Sequence, residues 1–362
     1  MKTRSRRVSP VAAVWRAWFG CVLLAWALTA QADPAWPDGA WQRVAPESAG
    51  WSGTGLAAAD DTARSMRTAA YLVVHRGQLV HAYGDIARPL NLYSVRKSVL
   101  SVLFGIHADR GEVELGRSLG EIGIDDRQGL TEREKSATVH QLLQSRSGVY
   151  HPAAYETADM AAQRPPRGSH APGEHWYYNN WDFNALGTVF ERLTGQTVFA
   201  ALQQDLAVPL GFEDFRVEAN TEFVRERVSV HPAYVMRLSA RDLARIGLLM
   251  ARGGTWRERR IVSPAWVAQS TTAHSVTSPG AGYGDMWWVA RDVWPFWAKV
   301  PGEVFFAWGN HGQFLVVSPR DDLVVVHRTD GGRLFGASVS PPQFARLLER
   351  IIAAGPGLQA GR

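Results

Sequence analysis

Ser94 and Lys97 form the only Ser-x-x-Lys in the chain. A hydroxyl and an amine three residues apart on a helix share one face, one turn from each other. A serine hydroxyl is a weak nucleophile until a base takes its proton, and an amine whose pKa is lowered by burial can be that base. Arginine does not release its proton in a protein, whereas a buried lysine does. Only Lys2, Lys97, Lys135 and Lys299 are lysines among the 39 Lys and Arg, although arginine-rich coding alone would also produce that scarcity. Ser94, Lys97, Ser98 and Ser101 fall at i, i+3, i+4 and i+7 and draw a polar stripe on an otherwise apolar segment. Ser94 and Lys97 are therefore read as nucleophile and activating amine.

The segment that carries them, Asn91 to Ile106, reads as a helix. Val95, Val99, Leu100, Val102, Leu103, Phe104 and Ile106 cover most of its circumference, the pattern of a helix buried in a core, and it ends near Asp109-Arg110-Gly111. Before it, Tyr71 to Tyr83 reads as two strands around a turn at Arg76-Gly77. After it, Thr138 caps a short helix to Gln144, and the Pro- and Gly-rich residues 151–175 form an ordered surface loop. Asn179 or Asn180 caps a helix to Leu193, Val198 opens another to about Ala207, Ser239-Ala-Arg-Asp242 is a capping box for a helix through Met250, and Ser263-Pro264 opens one more. From Tyr283 strand signals dominate: Met286 to Val289, Val304 to Trp308, Phe314 to Ser318 and Leu323 to His327, before an amphipathic helix from Gln343 to Ala353. Strands at both ends with helices between imply an α+β fold, an antiparallel sheet built from both termini and flanked by helices. The sheet lobe is expected at 45–108 and 251–354, with a mostly helical lobe inserted at 109–250.

Residues 1–32 read as a signal peptide: a basic n-region (Lys2, Arg4, Arg6, Arg7, Arg16), an apolar run from Ala17 to Ala30, and Ala30-Gln31-Ala32 as the cleavage site. The apolar run is short for a membrane span. The expectation is an exported catalytic domain, 33–362, periplasmic or secreted, with no stable membrane association after cleavage. Taking these five basic residues from the 39 in the chain leaves 34 Lys and Arg against 34 Asp and Glu. The basic balance belongs to the leader, so nucleic acid is not an expected partner. The single Cys21 lies in the apolar run, so the remainder has no disulfide, thiol nucleophile or thiolate metal site. The eleven histidines contain no H-E-x-x-H pattern, and no metal or cofactor is expected. His151, His170 and His175 lie in the 151–175 loop, where they could border a pocket.

Two further stretches give the Ser-x-x-Lys company. Residues 174–187 run Glu-His-Trp-Tyr-Tyr-Asn-Asn-Trp-Asp-Phe-Asn-Ala-Leu-Gly, and Phe305 to Gln313 run Phe-Phe-Ala-Trp-Gly-Asn-His-Gly-Gln. With the sheet-helix-sheet plan, their order and spacing resemble the class C β-lactamase-related serine hydrolases, a group that includes family VIII esterases, D-alanyl-D-alanine peptidases and 6-aminohexanoate-dimer hydrolases. The resemblance covers nearly all of residues 45–350. Its Tyr-x-Asn element fits Tyr177-x-Asn179 and Tyr178-x-Asn180; the aromatic and Leu-Gly that follow favour Tyr178 and Asn180. The third element, Lys/His-Thr/Ser-Gly in the family, falls on Ala307-Trp308-Gly309, or in another register on His311-Gly312-Gln313. In the first register the cation that grips a β-lactam or peptide carboxylate is missing, an arrangement that looks like the nylon-oligomer hydrolase branch.

The resemblance implies a two-step acyl transfer through an ester on Ser94, with Lys97 and Tyr178 as general base and acid and Asn180 orienting Lys97 and the substrate. Backbone amides of Ser94 and of the strand near Gly309 and Asn310 would form the oxyanion hole. Trp308 would wall an acyl pocket, while Trp287, Trp288, Trp294 and Trp297 are as well explained as core. The expected substrate is a small ester or amide without a required carboxylate. A β-lactamase or D-alanyl-D-alanine carboxypeptidase is the alternative enzyme, and a catalytically silent binding protein of the same fold is the alternative of another class. Oligomeric state leaves no mark in the sequence.

Overall fold

A computed structural model describes residues 35–278, 280–291, 303–332 and 336–357. The leader read at 1–32, and Trp294 and Trp297, lie outside the described residues. The strands of the main sheet are β1 (Ala70–His75), β2 (Gln78–Gly84), β3 (Ser275–Ser278), β4 (Ala281–Tyr283), β5 (Trp288–Arg291), β6 (Glu303–Gly309), β7 (Gln313–Ser318) and β8 (Leu323–Arg328). They lie in the order β2-β1-β8-β7-β6-β5-β4-β3, antiparallel throughout. The N-terminal hairpin thus pairs with the C-terminal strand, Ala70 opposite Arg328 and His75 opposite Leu323. The Arg76-Gly77 turn carries positive φ at both residues, 51° and 76°, as a two-residue hairpin requires.

Helices cover both faces, which is why β1, β7 and β8 are buried at every position and read as continuous apolar runs. One face packs α1 (Gly53–Ser65) and α6 (Pro341–Ala354), with Leu323, Val325 and Phe314 turned toward them. The other packs α2 (Val95–Asp109) and α4 (Ala240–Ala251), with Val324, Val326 and Leu315 turned inward. Gly247 lets α4 approach closely: a Cβ there would lie 2.6 Å from Val324 Cγ1 and 2.8 Å from Leu315 Cδ1. This helix, which the sequence reading assigned to the inserted lobe up to residue 250, is therefore part of the sheet layer. Its Ser239 cap forms, accepting from the Asp242 N–H, but the Asp242 carboxylate accepts from the Glu213 and Asp214 N–H groups instead of completing the box.

In α2 every residue from Val95 to His107 is buried, as its encircling apolar pattern requires. Across from it lies α3 (Asn180–Thr194), capped by Asn179 and stopped by Gly195 at φ 73°. The inserted lobe also holds a small sheet, Leu90–Asn91 and Thr221–Val224 on either side of Ala233–Leu238, which the sequence reading did not include. It missed α1, β3 and β4 as well, and placed β5 two residues early: Met286, at φ 63°, turns the chain just before that strand.

Candidate active site

The site begins with a turn. Asn91 accepts the Tyr93 N–H on Oδ1 at 2.8 Å, and Tyr93 takes φ 47°, a left-handed conformation costly for an aromatic residue. The chain then enters α2 with Ser94 at its start. A serine there usually caps its helix with its own hydroxyl, but Ser94 makes no such bond, so Oγ is left for other work. Lys97, one turn on, reaches back to it: Nζ lies 3.1 Å from Ser94 Oγ, 2.9 Å from Tyr178 OH and 2.8 Å from Asn180 Oδ1.

Tyr178 and Asn180 are thus the residues that meet Lys97, and the neighbouring pair serves the scaffold. Tyr177 donates to the Met160 carbonyl at 2.6 Å; Asn179 caps α3 and donates to the Val149 carbonyl at 2.7 Å. Asn180 also donates through Nδ2 to the Tyr155 carbonyl at 3.0 Å, which fixes its oxygen toward Lys97.

Lys97 is 1% exposed. Taking an ammonium out of water costs several kcal/mol, and its surroundings do not restore a full counter-charge: three neutral oxygens, and the Tyr178 and Phe183 ring faces at 4.2 and 4.3 Å. Burial, and secondarily the Arg96 charge, hold its pKa well below the usual lysine range. Burial pushes Tyr178 upward, with its hydrogen bond to Ser94 and the Arg96 charge opposing. Burial thus shifts the amine toward its neutral form and keeps the phenol protonated.

Gly309 closes the site from the sheet. A Cβ there would fall 2.5 Å from the Leu92 carbonyl oxygen and 3.1 Å from the Ser94 nitrogen, so only glycine lets β6 meet the start of α2. β7 pairs with residues 305–309 of β6 and β5 with residues 303–306, so among the described residues no strand flanks Ala307 to Gly309 on that second side. Asn310 follows in a turn, its Oδ1 accepting the His311 N–H at 2.9 Å. His311 stands at φ 61° with its ring edge-on to Tyr93 at 5.0 Å. Gln313 is buried and bonded to Thr329 and Arg328, so the His311-Gly312-Gln313 register does not serve the site. Ala307, the first residue of the other register, is fully buried and carries no charge.

Trp308 meets the pocket's aromatic wall at Trp288, 5.9 Å away. Alternation along β6 turns it to the α1 and α6 face, where it stacks on Phe314 at 6.3 Å, and Phe314 stacks on Phe344 at 4.1 Å. The aromatic wall beside Tyr178 is Trp288, stacked on it at 5.6 Å, with Tyr283 and Trp176 at 5.0 and 6.0 Å from Trp288. Trp288 opens β5 opposite Phe306 and packs against both the Tyr178 side and the Phe306 side of the sheet, so alternation alone does not mark it. Trp287 is core, packed on Phe305. His151 is buried 3.3 Å from Glu134, and His170 and His175 stack on each other at 4.1 Å.

Gly116-Arg-Ser118-Leu-Gly120 has the spacing of a nucleophile elbow, which corrects the expectation that the chain holds no Gly-x-Ser-x-Gly. Ser118 instead caps a four-residue helix, in a reciprocal capping box with Glu121.

The family model described as Beta-lactamase matches residues 41–333. Among solved structures, a family VIII carboxylesterase is 18% identical with a TM-score of 0.61, over 83% of this chain and 97% of that one. A penicillin-binding protein homologue from Caulobacter crescentus is 18% identical at TM-score 0.60, over 84% and 98%. A Bacillus anthracis protein taken to be a 6-aminohexanoate-dimer hydrolase is 19% identical at TM-score 0.61, over 80% and 79%. At such identities the likeness is one of fold.

Proposed function

We propose that this chain, which belongs to the beta-lactamase family of serine hydrolases, cleaves small esters or amides through an acyl-enzyme on Ser94. The observation that carries the reading is the convergence of Ser94, Tyr178 and Asn180 on one buried amine. A neutral amine has two N–H bonds and one lone pair. Asn180 Oδ1 can only accept, so it takes one N–H. The second N–H and the lone pair are left for the two hydroxyls, each of which can give or take a proton.

The step follows from that inventory. Ser94 Oγ attacks the carbonyl carbon as its proton passes to Lys97 Nζ, directly or through Tyr178. The oxygen that becomes negative is held by the Ser94 and Asn310 N–H groups, at the junction that Gly309 keeps narrow. Collapse breaks the bond to the alcohol or amine, which leaves with the proton returned from the Lys97–Tyr178 pair. Water then attacks the ester by the same route in reverse. The open edge of Ala307 to Gly309 supports an acyl donor laid alongside the strand, and Trp288, Trp176 and Tyr283 support an apolar acyl group. Alanine at 307 supplies no charge for a substrate carboxylate, which favours uncharged donors over penicillins and D-alanyl peptides. The order of basic, apolar and Ala-x-Ala residues in 1–32 supports export.

Intact-mass spectrometry tests this after incubation with p-nitrophenyl butyrate, a fluorophosphonate or a penicillin. The expected result is an adduct from the first two that maps to Ser94 and is absent from Ser94→Ala. No adduct with any of the three sinks the nucleophile assignment. Rapid penicillin acylation and release would instead make the protein a β-lactamase.

A further inference from the structure

Behind α2, away from Ser94, three side chains from distant parts of the sequence converge. His140 comes from the short helix Val139–Leu143, His274 from the residue before β3, and Asp285 from the turn between β4 and β5. His140 Nε2 lies 3.2 Å and His274 Nε2 3.6 Å from the same oxygen, Asp285 Oδ1. All three ligand atoms lie within 4.8 Å of one another. Asp285 is fully buried, yet Oδ1 accepts no hydrogen bond. A buried carboxylate oxygen with no bonded partner is costly, and here two imidazole nitrogens point toward it without the geometry to satisfy it.

We infer that His140, His274 and Asp285 form a binding site for a divalent transition-metal ion of the zinc type. Zinc–nitrogen and zinc–oxygen bonds of about 2.0–2.2 Å in a tetrahedron set neighbouring ligand atoms roughly 3.3 Å apart, and the two histidine–aspartate separations bracket that value. Two imidazoles and one carboxylate suit zinc better than calcium or magnesium, which prefer oxygen donors. His140 and His274 are partly exposed, with side chains 34% and 25% accessible, so an ion can enter and a water can complete its shell. The Gln269 amide donates to Asp285 Oδ2 at 2.8 Å and orients the carboxylate from outside. Binding exchanges the contacts of His140 Nε2 with Gln144 at 2.9 Å and of His274 Nε2 with the Gln269 carbonyl at 3.0 Å for bonds to the ion.

Backbone bonds hold the three segments in place. The Met286 N–H donates to the Leu143 carbonyl at 3.0 Å and the His274 N–H to the Tyr283 carbonyl at 2.9 Å. Ser101 and Ser98 of α2 donate to the Asp285 and Met286 carbonyls at 2.6 and 2.7 Å. The polar stripe of α2 thus serves two ends: Ser94 and Lys97 at the pocket, Ser98 and Ser101 at the turn that carries Asp285. The ion would clamp a helix of the inserted lobe to the sheet without touching the reacting groups.

The test uses the full chain, free of any histidine tag and stripped with EDTA. Thermal unfolding is followed with and without Zn2+, and Co2+ serves as a visible-absorption probe. The expected result is one equivalent bound, a rise in Tm with Zn2+, and Co2+ absorption of a four-coordinate site. Both signals should be lost in His274→Gln and in His140→Gln, which change partly exposed side chains and leave buried Asp285 in place. Absence of a Tm shift and of a Co2+ band in the wild type overturns the proposal. Binding that persists at equal strength in the double His140→Gln, His274→Gln variant also overturns it, and assigns the ion to other histidines.

Discussion

Tyr178 meets Lys97 twice, through its hydroxyl at 2.9 Å and through its ring, whose centroid lies 4.2 Å from Nζ. The two contacts act on the charge in the same direction, since a hydroxyl oxygen and an aromatic face both favour an ammonium. Burial acts against them and is the larger influence, so the lysine is held below its ordinary range. A residue that keeps its geometry while giving up its charge is what a proton acceptor needs.

Replacing Lys97 with arginine separates charge from basicity. The guanidinium cannot release its proton at any working pH. We expect Lys97→Arg to lower kcat/KM for p-nitrophenyl butyrate by about 10²–10⁴-fold, the usual worth of a general base. Circular dichroism would confirm that the variant is folded. Activity near that of the wild type would show that Lys97 is not the base.

The pH profile follows from the same pKa direction. Protonated Lys97 cannot accept the Ser94 proton, so kcat/KM falls as pH drops through a value below the ordinary lysine range. Asn180→Asp sets a carboxylate where Oδ1 now lies 2.8 Å from Nζ. That negative charge favours the ammonium, so the acid limb should move to higher pH. A limb unmoved by the substitution would assign it to another group.

Gly309→Ala should damage catalysis more than folding. The added methyl would press on the Leu92 carbonyl and the Ser94 nitrogen, at 2.5 and 3.1 Å. Displacing one donor of an oxyanion hole costs roughly 10²–10³-fold in kcat. Pre-steady-state acylation rates would read the loss, with KM little changed.

Trp288→Ala should alter selectivity. Its ring stacks on Tyr178 at 5.6 Å. A lost hydrophobic wall is worth about tenfold or more in discrimination, so the ratio of kcat/KM for a butyrate over an acetate ester should fall by about that factor. An unchanged ratio would place the acyl group elsewhere.

Away from the site, His327 sets an acid limit on stability. Its Nδ1 donates to the Gly312 carbonyl at 2.7 Å, and its Nε2 therefore accepts from the Thr68 hydroxyl at 2.9 Å, a fully bonded neutral ring. Burial holds its pKa at about 4, below the ordinary 6.5. Between those values the unfolded chain binds a proton that the folded chain does not. Stability is then fully present above pH 6.5 and declines toward pH 4, by about 3 kcal/mol in all at 1.36 kcal/mol per pH unit. Urea unfolding across that range should show the slope, and His327→Gln should flatten it.

Local chemistry in this chain is legible because it is repeated locally. Ser94 and Lys97 share a helix face, and Tyr178 is separated from Asn180 by the cap residue that starts α3, so types and spacing announced both. Trp308 was legible only in part: strand alternation sets it opposite to Ala307 and Gly309, and its contact with Trp288 comes from the neighbouring strand. Helix α1 is another matter. It opens Gly-Thr-Gly, and the stripe it buries at i, i+3 and i+7 is Leu56, Ala59 and Ala63, two of them alanines, too small to stand out before packing on α6 and the sheet is known. The small sheet around Ala233–Leu238 depends on partners more than a hundred residues away at Leu90–Asn91, which no local pattern records. The same distance hid His140, His274 and Asp285 from any motif.

The pairing of β1 with β8 has a consequence for the order of events during synthesis. Strand β1 pairs with β2 early, but its other edge stays open until residues 323–328 exist; α1, joined to β1 and β2 through Asp60, likewise gains its helix partner only when α6 arrives, where the Ser52 N–H donates to the Ala354 carbonyl at 2.8 Å. Closing contacts across nearly the whole chain is slow and entropically expensive. Gly309 and Asn310, which finish the pocket, also belong to that late segment. On the proposed reading, a growing chain therefore carries Ser94 and Lys97 before the oxyanion hole that would complete them, and hydrolysis would wait until the last strands have been made and docked.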